Sequence, residues 1–341
     1  MKNRLKPILF ALLAAVFYAI NVPVSKTLMA HVGEITMAGL LYLGAGVGVG
    51  AMSLLRRGGR SQRLTREDLP YVVGMIALDV AAPIFLMIGI SSGTSANASL
   101  LGNFEIVATS VVALCVFKEA ISPRLWWAIA LITLSSAILS FEGAESLRFS
   151  PGSLFTLLAA LCWGFENNCT RMISSKSTYE IVVLKGIFSG LGALCIAFFR
   201  GESLPDIVWI AAAMALGFVA YGLSIFLYVR AQSALGAAKT SACYAAAPFV
   251  GAALSFLILR EELSGAYFAA LAVMLAGSAL AAADTLVRHH THEHTHTFTT
   301  VENGAEVVRT VTHSHPHDHY VSDKRHGHTH PKATLEALLP H

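Results

Sequence analysis

Residues 12–21 read LLAAVFYAIN, and residues 157–167 read LLAALCWGFEN. The opening four letters recur at an offset of 145, and both stretches stay apolar up to a polar end. Two further echoes follow in order. Ile84-Phe85-Leu86 recurs as Ile225-Phe226-Leu227, offset 141, and Phe117-Lys118-Glu119 parallels Leu259-Arg260-Glu261, offset 142. Each match is weak by itself; three in order at nearly one offset argue for a duplicated unit. Around the echoes lie ten apolar segments of spanning length: 7–28, 34–55, 69–90, 95–117, 123–141, 152–173, 179–199, 206–229, 236–259 and 264–284. A membrane span needs about 20 mostly apolar residues. Five spans per half is an odd number, so the halves are expected in opposite orientations. Inverted repeats of this kind are a transporter architecture, with the solute site between them near the midplane.

Composition supports that reading. Of 341 residues, 55% are hydrophobic and 13% charged, against about 25% charged in an ordinary soluble protein. So few charges cannot clothe a water-soluble globule of this size. A nucleic-acid binder is excluded by a net charge of only +3 and the lack of a basic stripe. No nucleophile–base motif or phosphate loop is found, so no enzyme is expected. The five cysteines lie in apolar runs without a CxxC pair and read as small buried hydrophobes. The N-terminal run continues past Pro23 without a small-residue cleavage pattern and reads as a retained first helix. With the N-terminus in the cytoplasm, thirteen Lys and Arg fall inside and four outside. That bias orients the chain, and an even span count returns the C-terminus to the cytoplasm. A multi-pass protein of the plasma (inner) membrane is expected.

The chain resembles the drug/metabolite transporter superfamily, EamA type. The resemblance rests on the two stretches quoted above, with Trp163-Gly164 in the first helix of a repeat. It rests also on small-residue runs at Ala96–Leu100 and Ala237–Ala247, on Pro248-Phe249 leading to Glu261, and on a closing Gly277-Ser278 helix. It covers about residues 1–284 and implies ten helices and secondary transport of a small solute. The expected organisation is a first five-helix repeat at 1–142, a second at 143–284 and a polar tail at 285–341. The first half departs from the pattern: Asn103-Phe104-Glu105 stands where the second has Ala245-Ala246-Ala247. A charge there points to a specialised solute.

A charged side chain at mid-bilayer costs about 2.5–3.5 kcal/mol on insertion scales and should face the bundle interior. Asp79, Glu105 and Glu166 sit near the middles of helices three, four and six; Lys185 and Lys239 lie in helices seven and nine. Tyr18 pairs with Trp163 and Asn21 with Glu166 through the repeat, which places them about a pseudo-twofold axis. Trp163, Glu166 and Thr170 share one helix face by spacing. An aromatic wall beside a carboxylate suits a cationic or amine-bearing solute. Asn103 and Glu105 lie about 200° apart on a regular helix, so one of them would face a neighbouring helix. The expected solute-binding set is Tyr18, Asn21, Asp79, Asn103, Glu105, Trp163, Glu166, Lys185 and Tyr244. The structural alternative is that the acids pair with Lys185, Lys239 or backbone donors and only hold helices together. Gly44/Gly48 and Gly46/Gly50 in helix two are small-xxx-small pairs for close packing. Pro23, Pro83 and Pro248 are expected to kink their helices.

The tail holds 13 of the 14 histidines. Asn303-Gly304 lies between alternating runs, the strongest short hairpin signal. With those two residues as the turn, opposing positions sum to 607, so His294 faces His313, His292 faces His315 and His290 faces His317. All six share one face by alternation. Pro316 fits only at an edge or beyond the ladder. Imidazole suits Zn, Ni or Co, and His326, His328 and His330 form a second cluster. The alternative is a tail that adsorbs metal with no set geometry. Neutral imidazole is the ligand, so binding should weaken as pH falls through about 6.5.

Three functions follow. The first is a secondary transporter, in the exporting direction, of a small organic metabolite such as an amino acid or amine, with a tail that binds metal for regulation or buffering. The second is a Ni, Co or Zn transporter with the tail as ion collector. The third is a membrane metal sensor. No span contains His or paired Cys, and the midplane acids are hard ligands, which favours the first. No cofactor is expected for transport itself. The expected partners are the bilayer, a small solute and a transition-metal ion at the tail, with a homodimer as an option and no nucleic acid.

Overall fold

The computed structural model describes residues 2–55, 62–116, 122–140, 150–236, 240, 243–260, 263–285, 287–302 and 305–320, with the backbone alone for nearly all of the last two stretches. The chain divides into two units, one of residues 2–284 and one made mainly of the tail.

The first unit is helical. Its helices are α1 (Lys2–Ala19), α2 (Asn21–Leu28), α3 (Glu34–Leu55), α4 (Leu69–Ser91), α5 (Ser95–Leu101), α6 (Phe104–Cys115) and α7 (Pro123–Ser140). The later ones are α8 (Pro151–Ile173), α9 (Thr178–Leu184), α10 (Gly190–Phe199), α11 (Ile207–Gly217), α12 (Ser224–Leu235), α13 (Ala246–Leu259) and α14 (Gly265–Thr285). Among the described residues, joined end to end, seven stretches are long and apolar enough to cross a membrane, and Pro123–Leu139 and Ala246–Leu259 are shorter apolar helices; the expected span at 152–173 forms α8 but is not one of the seven. The outer faces carry large apolar side chains such as Trp127, Phe198 and Phe199. Lipid, not water, suits such a surface. It also corrects the reading of the cysteines: Cys243 is buried, but Cys115 and Cys195 lie on exposed helix faces, where a small apolar side chain is equally at home against lipid.

Two of the three prolines expected to kink their helices coincide with breaks. Proline has no N–H and its ring crowds the carbonyl four residues back. Pro23 and Pro248 do this to Ala19 and Tyr244, and the helical path is interrupted next to each, at Ile20 and Ala245. A third break, at Gly102–Asn103, separates α5 from α6; there the backbone tightens, with the N–H of Asn103 donating to the Leu100 carbonyl at 3.0 Å. By contrast α4 runs unbroken through Pro83.

Two wide turns depart from α geometry. Lys185–Ser189 and Phe218–Leu223 form π-helical segments between α9 and α10 and between α11 and α12. Both pack on α3 through its glycines. A Cβ on Gly186 would lie 2.2 Å from the Gly46 nitrogen, and one on Gly44 would lie 2.1 Å from the Met214 carbonyl oxygen. Gly48 meets Phe218 and Gly50 meets Val183. The two small-residue pairs therefore serve two different neighbours, one on each side of α3. Its N-terminus is capped by Glu202, whose carboxylate accepts from the Ile35 N–H at 3.0 Å and from the Thr36 N–H and hydroxyl at 2.7 Å each. Negative charge at that end suits the helix dipole.

The second unit contains an antiparallel two-stranded ladder, β1 (Val287–Glu302) and β2 (Ala305–Tyr320). Its register pairs His290 with His317, His292 with His315 and His294 with His313. Pro316 pairs with Thr291; in a ladder of two strands every residue is at an edge, which proline tolerates. Asn303 and Gly304 lie outside the described residues, as do Lys239, His326, His328, His330 and the side chains of the six paired histidines.

Candidate functional site

Seven of the expected residues line one lobe around a group of buried charges. Lys185 opens the first π segment and is 3% exposed. Its Nζ lies 2.7 Å from Glu166 Oε1 on α8 and 3.1 Å from Asp79 Oδ2 on α4. Tyr42, on α3, donates its hydroxyl to Asp79 Oδ1 at 2.7 Å, and Thr170 donates to Glu166 one turn along α8. The ammonium thus bridges two carboxylates whose other contacts are hydroxyl donors. That is the arrangement a dry interior requires of buried charge. Glu105, at the start of α6, accepts from Asn167 Nδ2 at 2.6 Å, and the same amide donates to Thr109 at 3.3 Å.

An aromatic file runs beside these charges. Tyr42 and Tyr221 have ring centres 5.0 Å apart, Tyr221 and Tyr18 5.6 Å, Tyr18 and Tyr244 5.7 Å, and Tyr244 and Tyr228 5.2 Å. Trp163 meets Tyr18 edge to face at 6.2 Å.

The charges and rings line one cavity with two lobes. The polar lobe, about 460 Å³, is bounded by Asp79, Glu105, Glu166, Lys185 and the aromatic file. Among the described residues its lining holds three carboxylates and one ammonium. The second lobe, about 560 Å³, is mostly apolar. Tyr18, Glu105, Trp163 and Tyr244 line both. All three helix breaks reach the second lobe, through Ala19 and Val22, through Gly102 and Asn103, and through Ala245 and Pro248.

Of the nine expected solute-binding residues, Tyr18, Asp79, Glu105, Trp163, Glu166, Lys185 and Tyr244 line the polar lobe, and Asn103 lines the apolar one. Asn21 lines neither. It is fully buried behind the wall, donating to the Tyr221 hydroxyl at 3.2 Å and accepting from Ser25 at 3.0 Å, so it positions a tyrosine. Asn103 and Glu105 both line the apolar lobe, and Glu105 also meets the neighbouring α8 through Asn167. At the break Gly102 and Asn103 keep right-handed helical angles, and the N–H groups of Asn103 and Glu105 donate three residues back, to Leu100 and Gly102. Tyr42, Tyr221 and Tyr228 were not anticipated. A tyrosine inside an apolar span is a fair signal for a cavity wall, because its hydroxyl needs a partner that lipid cannot supply.

The family model described as the EamA-like transporter family matches residues 5–141 and again residues 150–283. The chain belongs to the EamA-like transporter family. An uncharacterized transporter of Methanothermobacter thermautotrophicus is 24% identical over 272 residues, which cover 74% of this chain and 78% of the relative. A protein of known crystal structure shares the fold, with a TM-score of 0.63 at 19% identity over 82% of this chain and 96% of that one. As an EamA-like transporter, the protein is a multi-pass membrane protein that carries a small solute, and the cavity is where such a solute has room. An ammonium stands between Asp79 and Glu166, in the place a metal ion bridging them would need.

Proposed function

We propose that the protein exports a small organic solute bearing a cationic amine, such as an amino acid or an amine, across the plasma membrane. The carrying observation is the polar lobe: among the described residues three carboxylates and one ammonium line it, with five tyrosines and Trp163. An ammonium group gains from both, from the carboxylates by charge and from the ring faces by cation–π attraction. The halves 1–142 and 143–284 lie in opposite orientations, as the odd span count requires, and both chain ends face the cytoplasm, as the Lys and Arg bias requires. Solute and coupling proton compete for the carboxylates around Lys185, which links uptake on one side to release on the other.

Flux of radiolabelled amines and amino acids into proteoliposomes tests this. Glu105→Gln removes a cavity carboxylate while keeping an acceptor for Asn167, and is expected to cut flux at least tenfold in folded protein. Undiminished flux in that variant, or no flux of any amine in the wild type, overturns the reading.

The tail binds a transition metal, Zn, Ni or Co, for regulation or buffering. The register supports this by setting three histidine pairs at opposing positions, where Cβ atoms lie about 4.5–5.5 Å apart. Titration of the full chain with zinc, against the chain shortened before residue 289, is expected to show binding lost with the tail and weakened below about pH 6.5. Equal binding by both proteins overturns it.

A further inference from the structure

Asn103 is 1% exposed, yet among the described residues neither its Nδ2 nor its Oδ1 has a hydrogen-bond partner. Ser99, one turn earlier and 4% exposed, has an unpaired hydroxyl as well. Both line the apolar lobe. Asn21 pairs with Tyr221 and Ser25, and Asn167 with Glu105 and Thr109, while Asn168 and Gln232 are each unpaired at the oxygen only; among the described buried amides Asn103 is unpaired at both ends. Buried polar groups left unpaired destabilise a fold, and a leucine of similar volume at position 103 would avoid that cost.

We propose that Asn103 reads an uncharged amide-type edge on the solute, a carboxamide or a heterocyclic lactam, with Ser99 beside it, while Glu105 takes the amine. This rests on the amine-solute reading above and narrows it. A planar amide edge offers one donor and one acceptor side by side, which satisfies both ends of the asparagine at once; asparagine reads the edge of adenine in the same bidentate way. The alternatives fit less well. A carboxylate would satisfy Nδ2 and Ser99 but would face Oδ1 and the negative Glu105, and no cationic side chain lines this lobe among the described residues. A second amine would leave Nδ2 without an acceptor. Asn103 and Glu105 both line this one lobe, so a single small molecule reaches both. Discontinuous helices at a solute site are how membrane transporters present such groups.

Three probes that share one aromatic body separate the contributions: phenethylamine (amine only), phenylalaninamide (amine and carboxamide) and phenylalanine (amine and carboxylate). Affinities are measured on the full-length purified protein by ligand-induced thermal stabilisation. Wild type is expected to bind phenylalaninamide about tenfold more tightly than phenethylamine, and phenylalanine the least. In Asn103→Leu the amide advantage is expected to fall below about threefold while phenethylamine is still bound. A wild type with no preference for the amide, or an undiminished preference in Asn103→Leu, overturns the assignment of Asn103 and leaves the amine reading standing. Should none of the three bind, the amine reading fails and this inference fails with it. The wild-type ranking is a test in its own right, independent of whether the variant folds.

Discussion

In the polar lobe, Lys185 lies within 3.1 Å of both Asp79 and Glu166, and Tyr42 and Thr170 supply further donors. In the apolar lobe, Asn103 and Ser99 are as deeply buried and have no partner among the described residues. The two lobes share four side chains, but buried polarity is treated in opposite ways. A closed network holds helices together, and its removal leaves uncompensated charge. An open group weakens the fold by itself and is satisfied only by something that enters. Mutations in the two lobes should therefore change stability in opposite directions.

The largest expected effect is at the centre of the closed network. Lys185→Met leaves Asp79 and Glu166 as uncompensated carboxylates and is expected to cost about 3–5 kcal/mol. Unfolding in detergent measures it, and a loss under about 1 kcal/mol would show that the ion pairs are not structural. Tyr42→Phe removes one hydrogen bond to a charged group and is expected to cost about 1.5–3 kcal/mol in the same assay; an unchanged midpoint would detach Tyr42 from the network. Gly186→Val tests whether the wide turn that begins at Lys185 depends on its contact with Gly46. Overpacking there is expected to cost about 1–3 kcal/mol, with Gly50→Ala as a mild control because a Cβ there has 3.8 Å of room. The smallest effect should also have the opposite sign. Asn103→Leu is expected to leave stability unchanged or raise it by up to about 1 kcal/mol. A loss of more than 2 kcal/mol would mean that Asn103 is held by the protein and is not waiting for a solute.

Parts of this contrast were legible in the chain. Asp79, Glu105, Glu166 and Lys185 stood out because a charge in an apolar run must face inward, and each lines the cavity. The structural alternative for Asp79 and Glu166 also has substance, since both do pair with Lys185; the same side chains hold helices and line the lobe. Breaks next to Pro23 and Pro248 follow from the missing N–H, yet Pro83 leaves α4 continuous. Proline removes a hydrogen bond wherever it stands, and neighbouring packing decides whether the helix parts. The glycine pairs of α3 named a packing surface without saying that it was two, one for each π segment. Asn21 was misjudged because the repeat matches it to Glu166, and symmetry of position does not carry over to exposure.

Local patterns decided what depends on a residue and its near neighbours: which runs belong in lipid, that the unit is repeated, and the register of the tail ladder, since period and turn chemistry are short-range. Only the folded chain decided which carboxylates share Lys185, that Asn103 and Glu105 open into one lobe, and that Asn21 stands behind the wall. Those outcomes depend on distances between helices far apart in sequence, set by how closely glycine faces let backbones approach and by where a helix gives way. Neither quantity is written in the spacing of residues along a single helix.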